Sequence, residues 1–291
     1  MAESVVEKKP SVEEMKQCLH RSGYLLESRL VKLAKSLGFD AYPGPALYDT
    51  QTGKYREIDL LVSECLEFDY KHFLQVQTSV VIEAVNNPWP VILLTEDTVS
   101  TGDMHMAETD GGSEIMKDIA SRISFHGIYQ LKWPNTHKTY AQYCGIVQKG
   151  SGKSKNTSNP PEPEYMVNHT EDLHSSISKL VQYVSQDERA FRASRMEGEQ
   201  GKRLWFWKPI LVLGGDLYVV DDSKSPDIEL IKTNHAQMIH NWYDREAHIG
   251  HAQSATVIDV VTEEGLSHVL KETMAVDAEI RRIVLKKLDE V

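Results

Sequence analysis

Two carboxylates stand where carboxylates are costly. Asp59 lies in "IDLLV" (58–62) and Glu83 in "VVIEAV" (80–85), each inside an apolar run that reads as a β-strand. An unpaired ionised carboxylate in such surroundings either neutralises or finds a cation. If the two strands pair, both acids can lie on the same edge of one sheet. A divalent cation between them then relieves their repulsion. Hard cations such as Mg²⁺ prefer oxygen ligands, often one or two carboxylates plus substrate phosphates. That combination serves phosphodiester hydrolysis, because the metal lowers the pKa of a bound water and stabilises charge on the phosphate. A third acid, Glu27, lies in "GYLLESRLVKLAKSLGFD" (23–40). Taken alone it reads as a solvated helix residue paired with Arg21 or Lys32.

The elements around these acids follow from local patterns. Residues 11 to 37 read as one helix, with the "SGY" at 22–24 as the place where it could divide in two. Ser11 caps it, and Glu14 three positions later completes a capping box. Leu25, Leu26, Leu30, Leu33 and Leu37 recur at helical spacing, and Gly38 ends the run. "FDAYPGPALYD" follows as an irregular strand, and "DTQTGK" is turn chemistry. Strands are expected at 55–63, 78–85 and 90–95, then a helix near 113–124, then strands in "GIYQLKW" and "TYAQYCGIVQ". This helix–strand order is that of an α/β protein. Residues 149–164, "KGSGKSKNTSNPPEPE", cannot build a core and mark a flexible linker or loop. Beyond them come a helix near 170–196, two strands joined at Gly214-Gly215, strands in "DIELI" and "ATVIDVVT", and one or two closing amphipathic helices.

Composition narrows the classes. The chain has 291 residues, 41% of them hydrophobic, which suffices for a sizeable core. No apolar run reaches 18 residues, so no membrane partner is expected. "MAESVVEKKPSVEEMK" is charged and has no apolar h-region, so it does not read as a signal peptide. Three widely separated cysteines form no CxxC pair, which argues against a disulfide framework and fits a cytoplasmic setting. The formal charge of -11 repels polyanions on average, so contact with nucleic acid requires a local basic patch. It is compatible with a metal enzyme, whose acidic ligands add negative charge that bound cations cancel.

The succession "GYLLESRLVKLAKSLGF", "TGKYREIDLLV", "VVIEAVNNPWPVI" resembles the PD-(D/E)XK nuclease superfamily over roughly the first 130 residues. Members of that superfamily carry a Glu on the first core helix, an Asp at the start of a strand and a Glu-x-Lys on the next strand. They use Mg²⁺ to cut DNA or RNA. Glu27, Asp59 and Glu83 match those acids in order. The resemblance implies a restriction-endonuclease-like mixed sheet flanked by helices, here with a C-terminal α+β extension. It implies a core at 1–148, the linker or loop at 149–164, and an extension or small second domain at 165–291. Asp59 and Glu83 are the implied ligands of Mg²⁺ or Mn²⁺. Nucleic acid is the implied partner, and a homo-oligomer or protein partner is compatible with it.

One departure bears on activity. Val85 stands where the family has lysine, and Ile58 where it has proline. The lysine positions the attacking water and offsets phosphate charge, and valine does neither. Three readings follow. The lysine has moved, with Lys71 or Lys117 reaching in. Asn86 or Gln77 supplies a polar substitute, and Gln77 shares the strand face of Glu83 by parity. Or the site is dead, and the fold serves binding, assembly or regulation. An unrelated α/β protein, with Asp59 and Glu83 paired to Arg56 or Lys71, is the remaining reading.

Other motifs carry less. "KGSGKSK" (149–155) fails as a P-loop, because Val147 replaces the first glycine and no helix can open after it. The histidines at 235, 240, 248 and 251 read as surface or core residues rather than zinc ligands. Trp205 and Trp207 alternate with Phe206, pointing to opposite faces if this is a strand, and read as core or a partner contact rather than a base-stacking platform.

Overall fold

The computed structural model describes residues 9–49, 53–64, 69–71, 74–97, 105–109, 139–149, 164–168, 171–193, 202–221, 228–244 and 252–290. The expected helix near 113–124, the strand "GIYQLKW", Lys117, His248 and His251 lie outside them.

The opening helical run is two helices, α1 (Val12–Arg21) and α2 (Tyr24–Ser36). Ser11 and Glu14 form the capping box at the start of α1. Ser22 then turns extended, and Gly23 begins the second helix without a side-chain cap. Gly38 takes φ 92°, the left-handed conformation that glycine adopts without a Cβ clash.

Fourteen strands and two further helices follow among the described residues. They are β1 (Phe39–Pro43), β2 (Ala46–Asp49), β3 (Lys54–Glu57), β4 (Leu60–Glu64), β5 (Leu74–Val85), β6 (Val91–Asp97), β7 (His105–Thr109), β8 (Thr139–Gln148) and β9 (Tyr165–Asn168). Helix α3 (Glu171–Ala193) separates these from β10 (Lys202–Leu213), β11 (Leu217–Asp221), β12 (Glu229–Thr233), β13 (His235–Asp244) and β14 (Ala252–Thr262). Helix α4 (Glu263–Asp289) closes the chain as one helix.

All but β2 and β3 join one mixed sheet in the order β1-β4-β5-β10-β14-β13-β8-β6-β11-β12, with β7 on β10 and β9 on β8. β4 pairs antiparallel with β5, and β10 pairs parallel with β5 over its whole length, from Lys202↔Leu74 to Leu213↔Val85. One sheet therefore runs through strands from both halves of the sequence. The segment 149–164 begins and ends on a single antiparallel ladder. Gln148 pairs with Tyr165, and the Lys149 amide donates to the Glu164 carbonyl at 2.7 Å.

The pleat sends alternate side chains to opposite faces. On one face Val81, Val85, Trp207 and Leu211 pack under α3 residues Leu173, Ile177, Leu180 and Val184. On the other, Val80, Ile82, Ile210 and Val212 pack under Leu26 and Leu30 of α2 and Leu266, Val269 and Leu270 of α4. Trp205 and Trp207 belong to the first face. Their indole N–H groups donate to Ser79 Oγ at 2.9 Å and Asp187 Oδ2 at 2.7 Å, and Phe191 packs on both rings. No helix among the described residues is long and apolar enough to cross a membrane.

Candidate active site

The antiparallel register Leu60↔Ile82 sets Asp59 beside Glu83 at the end of the β4–β5 ladder. Asp59 Oδ2 accepts the Ala84 amide at 2.7 Å, and the Asp59 amide donates to Glu83 Oε1 at 3.3 Å. Glu83 is 1% exposed. It points to the face covered by α3, since it alternates with Val81 and Val85 of that core.

A lysine meets it from that helix. Lys179 Nζ lies 2.5 Å from Glu83 Oε2. Oε2 therefore has an ionic partner without a hydrogen bond of regular geometry. The same amine reaches the Glu57 carbonyl at 3.4 Å. Ser176, one turn earlier on α3, hydrogen-bonds Glu83 as well. Burial, followed by the charge of Asp59, pushes Glu83 up to about 7, against the opposing pull of Lys179 and Ser176.

Glu27 stands in the first turn of α2. Burial raises its pKa, the charge of Asp59 raises it further, and Lys179 pulls it back. Glu27 is thus near enough to feel the charges of Asp59 and Lys179. Gly23 makes room for it: a Cβ there would stand 3.2 Å from Glu27 Oε1. Asn86, just beyond β5, fastens this corner by donating to the Ser22 carbonyl at 2.7 Å.

The other expected site residues fall elsewhere. Gln77 shares the face of Glu83, as parity requires. Six residues of extended strand still separate the two by about 20 Å, and Gln77 accepts from Gln75 at 3.0 Å instead. Parity selects a face, not a distance. Lys71 pairs with Asp289 at 2.5 Å, and Asn86 is bound to the α1–α2 junction. Val85 is buried in the α3-side core.

Lys179 and Ser176 are thus the site residues that sequence reasoning missed. A signal existed: Lys179 flanks the apolar stripe Leu173, Ile177, Leu180, Val184, where a half-buried ammonium needs an anion. Nothing local says which anion.

Among the described residues no group of three or more His, Cys, Asp or Glu side chains stands close enough to hold a metal ion. Asp59 and Glu83 supply two hard carboxylates side by side. That donor set fits Mg²⁺, which takes one or two carboxylates and completes its shell with water and phosphate. No family model matches this chain, and no curated protein or solved structure matches it.

Proposed function

We propose that this chain is a metal-dependent nuclease of the PD-(D/E)XK type, hydrolysing phosphodiester bonds of DNA or RNA, in which the motif lysine has moved from the strand to α3 as Lys179. The observation that carries the reading is the Lys179 amine at Glu83 Oε2, beside Asp59. The acid order supports a restriction-endonuclease-like core: Glu27 on a helix, Asp59 at the head of β4, Glu83 on the adjoining β5.

In this reading Asp59 and Glu83 would hold Mg²⁺ or Mn²⁺. The bound ion supplies a water of lowered pKa and stabilises charge on the phosphate. Lys179 offsets phosphate charge and orients the attacking water. Its position is set by α3, whose apolar stripe is locked in the core. Glu27 accepts hydrogen bonds from water on the α2 side. Burial, and then the charge of Asp59, raise the pKa of Glu83 against the pull of Lys179, and a divalent cation would offset that excess of negative charge.

A second reading is a non-catalytic member of the same fold, acting as a nucleic-acid-binding, assembly or regulatory subunit. The Lys179–Glu83 ion pair favours it to this extent, that it already neutralises one metal ligand. Incubating labelled DNA and RNA, single-stranded and duplex, with Mg²⁺ or Mn²⁺ separates the two. The nuclease reading expects cleavage that Glu83→Gln and Lys179→Met each suppress. Full cleavage by an Asp59→Ala/Glu83→Ala variant would place the activity elsewhere, and no cleavage with any substrate would leave the non-catalytic reading.

A further inference from the structure

The ribbon β2–β3 belongs to no part of the large sheet, and it grows from the acid site itself. Its base is pinned there: the Gly44 amide donates to the Asp59 carbonyl at 3.3 Å, and the Ile58 amide to the Pro45 carbonyl at 3.0 Å. Beyond that base Tyr48 pairs directly opposite Tyr55. The two rings meet edge to face, with centroids 5.2 Å apart and planes at 61°. They remain open to solvent, Tyr48 at 47% and Tyr55 at 77% exposure. An aromatic pair with this much open surface is unusual for a ring that has core available, because each ring leaves apolar area in water.

Two further open tyrosines stand on the elements around this corner. Tyr42 on β1 is 53% exposed and aligns with Leu61, which aligns with Val81 on the Glu83 face of β5. Tyr24, 70% exposed, lies one helical turn before Glu27. Each of the three chain segments that lead to the site thus carries an open ring. Lys179 links ribbon and site, since its amine touches both Glu83 and the carbonyl of Glu57, the last residue of β3. Tyr55 is two residues before Glu57, about 7 Å along the strand. Asp59 lies two residues further on, so Tyr55 stands about 13 Å along the chain from the acids, a span of about four stacked nucleotides at about 3.4 Å each.

We infer that β2–β3 is a stacking arm for single-stranded nucleic acid, with Tyr55 and Tyr48 as its platform and Tyr42 as a second contact nearer the acids. The inference rests on the nuclease reading for its choice of ligand. A duplex offers its base edges in the grooves, whereas an unpaired base offers a face that a tyrosine can cover. Charge contributes less. The chain carries -11 overall, and the cations at hand are the exposed Lys54 and the half-buried Lys179, which already pairs with Glu83. Two phosphate contacts on a single strand give a log K against log salt slope of only about -1.4.

The test is fluorescence anisotropy of the full chain in EDTA, where cleavage cannot interfere. The probes are a labelled oligothymidylate, the matching oligouridylate and a blunt duplex. Both single strands, or one of them, should bind about tenfold tighter than the duplex, and Tyr55→Ala should lose about tenfold, as expected for one stacked base. Tyr55→Phe keeps the ring and should bind within about twofold of wild type. The salt slope should stay shallower than about -2. Comparison of the two single strands decides between DNA and RNA. Equal binding by Tyr55→Ala, a preference for duplex, or no binding of any probe overturns the inference. Because Tyr55 lies outside the core, an unchanged melting curve for Tyr55→Ala shows that the loss is not one of folding. Parallel cleavage assays separate the two claims. Tyr55-dependent binding without cleavage in Mg²⁺ or Mn²⁺ keeps the arm and removes the nuclease. Cleavage that is indifferent to Tyr55→Ala keeps the nuclease and removes the arm.

Discussion

Two buried carboxylate clusters lie on opposite faces of the same sheet, and they are built to opposite ends. Under α4, Asp259 of β14 is saturated. Lys208 Nζ sits 2.6 Å from Oδ2, and His235 Nε2 at 2.6 Å and Gln237 Nε2 at 3.2 Å both address Oδ1. Burial alone would raise its pKa, but Lys208 and the His235 hydrogen bond overcome that and hold it well below the usual carboxylate range. Next to it, Asp277 of α4 accepts the Thr78 amide at 3.1 Å and the Thr78 hydroxyl at 2.7 Å. Under α3, Glu83 pairs with Lys179, yet burial and the charge of Asp59 beside it push it up to about 7. The first cluster has an answer for each buried charge and so serves the fold. The second is left short of positive charge at the end of the sheet, where a ligand can supply it. Burial of an acid does not mark a function by itself; an unbalanced buried acid makes its surroundings a candidate site.

The comparison breaks most sharply under substitution of the acids. Glu83→Gln or Asp59→Asn should lower kcat/KM by about three orders of magnitude or more, since such groups act as a unit. Asp59→Asn should melt no lower than wild type, because it removes one of two mutually repelling charges and leaves the Lys179–Glu83 pair in place. A steady-state assay beside a thermal melt reads both. Asp259→Ala should do the reverse. It strands the Lys208 ammonium in the core and should cost about 3–5 kcal/mol by denaturant titration, with turnover per folded molecule unchanged. Replacing both partners, as Lys208→Met/Asp259→Leu, should recover most of that loss.

Lys179→Met should cost about a hundredfold in kcat, the scale of a lost charge-stabilising donor. Adding Val85→Lys restores an ammonium on the face of Glu83 two residues away. The double variant should regain part of the rate, whereas Val85→Lys alone should only destabilise, since Val85 is packed in the α3-side core. A double variant no faster than Lys179→Met would argue against equivalence of the two lysine positions.

The clusters should also differ in pH. Glu83 has a folded pKa of about 7 against an ordinary 4.5, so between those values the folded chain holds a proton that the unfolded chain has released. Its contribution to stability is therefore present at low pH and lost as pH rises through that window. Asp259 is depressed from an ordinary 3.8, so its contribution is present above that value and lost only on further acidification. Chemical denaturation between pH 4.5 and 7 should show a declining stability component that Glu83→Gln removes. The smallest effect belongs to Gln77→Ala, which should change cleavage by less than about twofold if strand spacing puts it beyond reach.

The sequence by itself determined the local parts. The capping box of Ser11 and Glu14, the break at Ser22-Gly23, the helix after Glu171 and the strand Thr139–Gln148 follow from caps, glycines and periodicity within a few residues. The neighbourhood of Asp59 and Glu83 was legible too, because two apolar strands close in the chain pair readily and each carried one acid. Only the tertiary structure decided the rest. Pairing of β5 with β10 is chosen by long-range register, which no local pattern encodes. Lys179 finds Glu83 because α3 crosses that face of the sheet, and Gln77 misses it because alternation repeats along a strand while reach does not. The ion pair of Lys208 with Asp259 joins two strands that become neighbours only in the folded sheet. In each case the deciding quantity is a distance between segments far apart in the chain, set by packing the whole sheet between its helices.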